Sequence, residues 1–242
     1  TQVLGVALGG VAGAQDPVLD QQHVLSGDAV RREAVAGQAE GAQAVAALHA
    51  AGVPRDALHL LPGEGGTIGA ALVADARVAG VCVTGSTETA RLIERAMAAH
   101  LGPDAPLIAE TGGINAMIVD STALPEAAVR DIVNSSFQSA GQRCSALRAL
   151  FVQKDIRARL VEMLEGATME LAVGDPWQPS VDVGPVIDGE ALGIIRTHCE
   201  RFAASNRVMF RHPMKQVGAH GLFAPPTAIR LESFEEMERE IF

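Results

Sequence analysis

The chain has no tyrosine and one tryptophan, Trp177, and only 3% of its 242 residues are aromatic, which says little about function. Its other scarcities say more. The three cysteines, Cys82, Cys144 and Cys199, form no C-x-x-C pair and no close, even spacing. A disulfide framework and a zinc cage are therefore disfavoured, and a reducing, cytoplasmic compartment is expected. Seven histidines occur without H-E-x-x-H spacing, so no metal site is expected. Lysine and arginine number 19 against 29 acidic residues, a net charge of −10, which leaves no basic stripe to neutralise phosphates and argues against a nucleic-acid partner. No apolar run reaches membrane-spanning length, and no charged segment precedes an apolar core at the N-terminus. What is present is ample core material. The 48% hydrophobic content with 20% charged residues suits a globular chain of one large or two modest domains.

Along the chain, residues 1–45 are the least regular, mixing Gln, Ala, Gly and Arg without a sustained period. Beyond them strands and helices alternate. Ala57–Leu61 reads as a short strand, Thr67–Ala74 as a helix and Val78–Val83 as a Val-rich buried strand. Glu88–Leu101 carries Ala90, Ile93, Met97 and Leu101 on one face and Glu88, Arg91, Glu94 and Arg95 on the other, an amphipathic helix. Strands follow at Pro106–Ala109, Ala116–Val119 and Leu147–Val152, with helices at Pro125–Ser136, Asp155–Glu170 and Glu190–Ala204. Arg207–Phe210 and Thr227–Leu231 are further strand candidates. This alternation predicts an α/β protein with a parallel sheet and flanking helices. The boundary between a nucleotide-binding half, residues 1–111, and a catalytic half, residues 112–242, falls at Thr111-Gly112-Gly113.

Four segments carry chemistry. In Ser139-Ala140-Gly141-Gln142-Arg143-Cys144-Ser145, one cysteine sits among small residues after a helix, open to a substrate. Arg143 and the turn amides are expected to favour its thiolate, whereas an ordinary buried thiol is the plainer reading of a lone cysteine. Ile108-Ala109-Glu110-Thr111-Gly112-Gly113 places the Glu110 carboxylate at a strand end beside a Gly-Gly turn, a candidate general base. Thr84-Gly85-Ser86 ends a strand and opens a helix, where unpaired N–H groups can hold a pyrophosphate; Ser86 could equally serve only as a helix cap. Gly65, Thr67 and Gly69 lie in a second glycine-rich turn that lacks G-x-G-x-x-G spacing, so tight helix packing explains it equally well. Cys82 is expected to be buried in its Val-rich strand, leaving Cys144 as the only fast-reacting thiol.

Together these segments resemble the aldehyde dehydrogenase superfamily, which also shares Gly184-Pro185-Val186-Ile187 and a closing Glu240-Ile241-Phe242. Leu107–Asp120 and Ser139–Arg148 are similar in particular to the glutamate-semialdehyde (1-pyrroline-5-carboxylate) dehydrogenase module of its proline utilization A branch. The resemblance implies a Rossmann-like NAD-binding half joined to an α/β catalytic half. It implies that Cys144 attacks the aldehyde carbon and that Glu110 activates the water that hydrolyses the resulting thioester. It further implies that Gly65, Thr67, Gly69, Thr84, Gly85, Ser86 and Gly112 line the NAD site, that Glu240 accepts hydrogen bonds from the nicotinamide ribose, and that Ser145 binds the substrate carboxylate. The implied reaction is oxidation of glutamate semialdehyde to glutamate in proline catabolism, in a larger polypeptide or a homo-oligomer.

Some family features are absent from their expected places. No asparagine in a recognisable oxyanion-hole context precedes residue 46, and Arg31-Arg32-Glu33-Ala34-Val35 stands where a Lys-Pro-x-Glu ribose motif is expected. The chain also stops before the Gly-Pro of the last motif, ahead of the family's anchor loop and oligomerisation hairpin. These departures lead to the expectation of an incomplete module with little turnover by itself. The alternative function is a non-catalytic remnant with at most weak nucleotide binding.

Overall fold

A computed structural model describes residues 6–9, 41–215, 217 and 221–237. The Arg31–Val35 segment, Glu240 and most of residues 1–45 lie outside the described residues. The chain divides into two compact units, Thr1–Thr111 and Gly112–Phe242.

The first unit is organised by a parallel three-stranded sheet of β1 (Val6–Gly9), β2 (Val81–Thr84) and β3 (Leu107–Glu110), with β2 in the centre. The helix α1 (Thr87–His100) connects β2 to β3. Its ends follow from the sequence. Ser86 caps the N-terminus, its Oγ accepting from the Thr89 N–H at 3.0 Å, while Glu88 in the first turn and His100 in the last suit the helix dipole. One face of α1 buries Ala90, Ile93 and Met97; Ile93 and Met97 pack on Val81 and Val83 of β2 and on Val73 of the one-turn helix Ala70–Val73. Helical backbone also covers residues 41–50.

Two expectations for this unit are corrected. Ala57–Leu61 forms no strand: a turn closes from the Ala57 N–H to the Pro54 carbonyl, and Leu60 and Leu61 stay exposed. Cys82 is exposed, not buried. Successive side chains of a strand point to opposite faces, and only the Val81/Val83 face of β2 meets α1.

The second unit begins with a β–α–β unit. Strand β4 (Asn115–Val119) leads through α2 (Pro125–Phe137) to β5 (Leu147–Val152), which pairs with it in parallel. Pro125 occupies the first turn of α2, where its missing N–H costs nothing. The helix α3 (Arg157–Met169) follows, with Leu160, Leu164 and Thr168 buried at i, i+4 and i+8. These two helices enclose a core of Val119, Val129, Ile132, Val133, Leu147, Leu160, Leu164 and Phe210. Each such aliphatic side chain contributes about 1.5–3 kcal/mol on full burial. Thr168 enters this core without penalty because its Oγ1 donates to the Leu164 carbonyl at 2.8 Å. The helix α4 (Gly189–Ala203), capped by Asp188, and an antiparallel pair of β6 (Val208–Arg211) and β7 (Thr227–Ile229) complete the unit.

Candidate active site

In the first unit the chemistry-bearing residues gather at the C-terminal ends of β2 and β3, the end at which open parallel sheets bind ligands. Thr84 lies opposite Glu110 in the sheet register, and the Gly85 N–H donates to the Glu110 carbonyl at 3.0 Å. Glu110 itself is exposed. The Ser86 hydroxyl is engaged as the cap of α1, accepting from the Thr89 amide and donating to the Thr89 hydroxyl. Gly65, Thr67 and Gly69 fall in a single π-helical turn that runs into Ala70–Val73. A Cβ placed on Gly65, Gly66, Gly69 or Gly85 would meet nothing within 4 Å, so these backbones are open to approach.

In the second unit Cys144 and Ser145 are exposed at the tip of the segment that links α2 to β5, flanked by buried Gly141 and Ala146. The segment enters through three successive left-handed residues, Ser139 (φ 57°), Ala140 (φ 54°) and Gly141 (φ 72°). For Ser139 and Ala140 this conformation costs roughly 1–2 kcal/mol each. Such strain persists only where the surroundings over-determine it. Here Ala140 packs beside Val186, Ala191 and Leu192, and Gln142 binds the Ser139 carbonyl through both its backbone N–H and its side-chain Nε2, each at 3.0 Å.

Four side chains hold the rest of the segment. Gln142 reaches the Gly184–Ile187 stretch, its Nε2 donating to the Pro185 carbonyl at 3.3 Å and its Oε1 accepting from the Ile187 N–H at 2.7 Å. Arg148 donates to the Gly141 carbonyl. It can do so because the β4–β5 register slips between Asn115 and Ala116: Asn115 faces Leu147 and Ala116 faces Ala149, which makes Arg148 the extra residue of a β-bulge. Ser135 Oγ accepts from the Leu147 N–H at 3.1 Å. Asn115 donates through Nδ2 to the carbonyls of Cys144, at 2.6 Å, and Ala146, at 3.0 Å.

Arg143 does not serve the thiol as its place in the sequence suggests. Its guanidinium donates to the carbonyls of Asn134 and Ser135, at 3.0 and 3.3 Å, where it caps the negative C-terminal end of α2. Cys199 is the buried thiol of the chain, and burial pushes its pKa up. Gly112 precedes β4 without special backbone geometry, its φ lying outside the left-handed region. Among the described residues, no group of three or more His, Cys, Asp or Glu could hold a metal ion, and no helix is long and apolar enough to cross a membrane.

Gly141 tests the tightness of this segment. A Cβ there would lie 2.8 Å from the Ser136 carbonyl oxygen and 2.9 Å from Arg148 Nη1, on a backbone at φ 72°. Gly141→Ala is expected to destabilise the chain by about 1–3 kcal/mol, seen as a lower urea midpoint at unchanged slope.

A model of the aldehyde dehydrogenase family matches residues 35–242. The chain belongs to that family. It is 50% identical over 209 residues to the bifunctional protein PutA of Salmonella typhimurium, a match that covers 83% of this chain and 16% of that protein. It is 34% identical over 186 residues to the 1-pyrroline-5-carboxylate dehydrogenase of Geobacillus kaustophilus, covering 76% of this chain and 36% of the enzyme. A crystal structure of bifunctional proline utilization A superposes with a TM-score of 0.79 at 50% identity, covering 85% of this chain and 20% of that one. The chain thus spans about one sixth of the length of the PutA proteins it matches. The mixed α/β architecture is that of an aldehyde dehydrogenase domain, related to the 1-pyrroline-5-carboxylate dehydrogenase region of a multidomain protein.

Proposed function

We propose that this chain carries the nucleophile, the water-activating carboxylate and part of the dinucleotide site of an NAD-dependent aldehyde dehydrogenase, and that its substrate is glutamate semialdehyde. The observation that carries the reading is the exposed Cys144 at the tip of a strained segment that four side chains clamp in place. Left-handed serine and alanine residues are strained, and strain of this kind clusters at functional sites, which supports the reading.

The reaction follows from residue types. The Cys144 thiolate adds to the aldehyde carbon, forming the C–S bond of a thiohemiacetal. A backbone N–H of the Cys144 segment is suited to stabilise the developing oxyanion. Bound nicotinamide supplies a hydride acceptor, so that the two-electron oxidation leaves a thioester on Cys144. Glu110 then takes a proton from water, the hydroxyl adds to the thioester carbonyl, and the C–S bond breaks to release the carboxylate and restore the thiolate. Ser145, adjacent to the nucleophile and exposed, offers a hydroxyl to the carboxylate of a glutamate semialdehyde.

The dinucleotide fits the first unit on the evidence of open backbone. The turn from Thr84 to Ser86 presents the amide end of a fourteen-residue helix, and no side chain covers Gly85. Because the Ser86 hydroxyl is committed to the cap, backbone amides are the groups left to meet the phosphates there. Gly65, Thr67 and Gly69 supply a second uncovered turn, and Gly112 and Glu240 complete the proposed set.

Mass-mapped alkylation tests the nucleophile directly. At low reagent and neutral pH Cys144 is expected to label first, Cys82 more slowly and Cys199 last. Cys82 shares exposure with Cys144 but sits on a regular strand, while Cys199 is shielded. Labelling of Cys82 ahead of Cys144 would contradict the assignment.

A further inference from the structure

We propose that Asn115 is a positioning residue for Cys144, acting by holding the carbonyl oxygens of the nucleophile segment off the sulfur. The inference rests on the reading of Cys144 as the nucleophile. The residue stands at the first position of β4, opposite Leu147, at the point where the bulge interrupts the ladder. There its amide takes over a task that regular strand pairing would otherwise perform. The carbonyls of Cys144 itself and of Ala146, two residues on, accept from the same Nδ2, across 29 and 31 residues of sequence.

The chemical consequence follows from the donor inventory of an asparagine. The Nδ2 group has two hydrogens and both are used here. A carbonyl oxygen is a partial negative charge, and one that turns toward a thiolate disfavours it. With both oxygens bound to the amide, neither is free to rotate onto Cys144 Sγ. Since every described peptide is trans, fixing the Cys144 carbonyl on Asn115 also points the Ser145 N–H in the opposite direction within the same peptide plane. Asn115 therefore sets both the electrostatics of the sulfur and the direction of an adjacent donor. Gln142, Arg148 and Ser135 hold other atoms of the segment, at Pro185, Ile187, Gly141 and Leu147.

A space-filling role and a donor role make different predictions. Asn115→Leu keeps the shape and removes both donors. Asn115→Asp keeps the shape and faces the two carbonyls with a third negative oxygen. Asn115→Ser loses volume and returns one donor. The measurement is the rate of alkylation of Cys144 by a neutral haloacetamide, resolved by mass mapping, with Cys82 as the internal reference. Cys199 reports global unfolding, since it labels only when its helix is exposed.

The donor role predicts that Cys144 slows by roughly tenfold in Asn115→Leu and by more in Asn115→Asp, that Asn115→Ser recovers part of the rate, and that Cys82 does not change. If Leu and Asp match the parent rate while Ser falls, Asn115 only fills space and the proposal is overturned. If the parent chain itself shows no preference for Cys144, the nucleophile reading fails and the proposal falls with it. Should either shape-preserving variant expose Cys199, the Ser variant and the remaining one still decide between the two roles by their order.

Discussion

In an intact module, replacement of Cys144 by alanine is expected to abolish covalent capture of aldehyde and, with it, all aldehyde-dependent NADH formation, a loss on the order of a millionfold in turnover. No neighbour can substitute. Ser145 is a hydroxyl that lacks an adjacent base in the segment, and Cys199 lies buried in α4. The variant is expected to fold normally, because the side chain is exposed and the clamps act on backbone atoms around it. Stopped-flow detection of NADH together with intact-mass analysis of quenched protein would check it. Retention of a burst in Cys144→Ala would require a different nucleophile.

The second large effect concerns Glu110, whose loss should separate the two halves of the reaction. Glu110→Gln keeps size and hydrogen-bonding capacity but cannot accept a proton from water. In an intact module acylation of Cys144 should continue, while deacylation slows by roughly a hundredfold to ten-thousandfold. The expected trace is one equivalent of NADH released rapidly, followed by slow steady-state turnover. Glu110 is exposed at the end of β3, and its backbone bond to Gly85 is indifferent to the side chain, so the fold should be unaffected. A parallel loss of burst and steady state would instead assign Glu110 to the first covalent step.

The framework around these residues was legible because it rests on local pattern. The 3.6-residue period of Ala90, Ile93 and Met97 identifies α1, the serine before it identifies its start, and Pro125 marks the first turn of α2. Strand β5 is found at its full length from its apolar run between Ser145 and Gln153. The readings that failed needed information that no local pattern carries. A Val-rich strand does not reveal that Cys82 stands on the face turned away from α1. Ala57–Leu61 has strand-like composition, but it leaves a turn with Leu60 and Leu61 exposed and joins no sheet. Arg143 is next to Cys144 in sequence, whereas its guanidinium donates to the Asn134 and Ser135 carbonyls in the last turn of α2.

The clamps of the nucleophile segment were the least visible part of the site. Asn115, Gln142 and Arg148 all lie inside motifs that the sequence singles out, yet their partners are backbone carbonyls and amides, which leave no trace in residue identity. The Gln142 contacts reach 43 and 45 residues along the chain. The slip that projects Arg148 toward Gly141 appears only once β4 and β5 are paired. The available signal was the asparagine itself. A polar residue opening an otherwise apolar strand, just after Gly112-Gly113-Ile114, has no packing reason to be there.

The most direct test of the account is to mix an intact module that carries these residues with NAD and glutamate semialdehyde, quench in acid within the first turnover, and map covalent adducts on Cys82, Cys144 and Cys199. Acid preserves a thioester, and Glu110→Gln, in which deacylation is slow, provides the sample with the greatest accumulation. The account predicts one acyl group per chain, on the peptide that contains Cys144, appearing in step with NADH. NADH formed without an adduct at Cys144, or an adduct on Cys82, would contradict it.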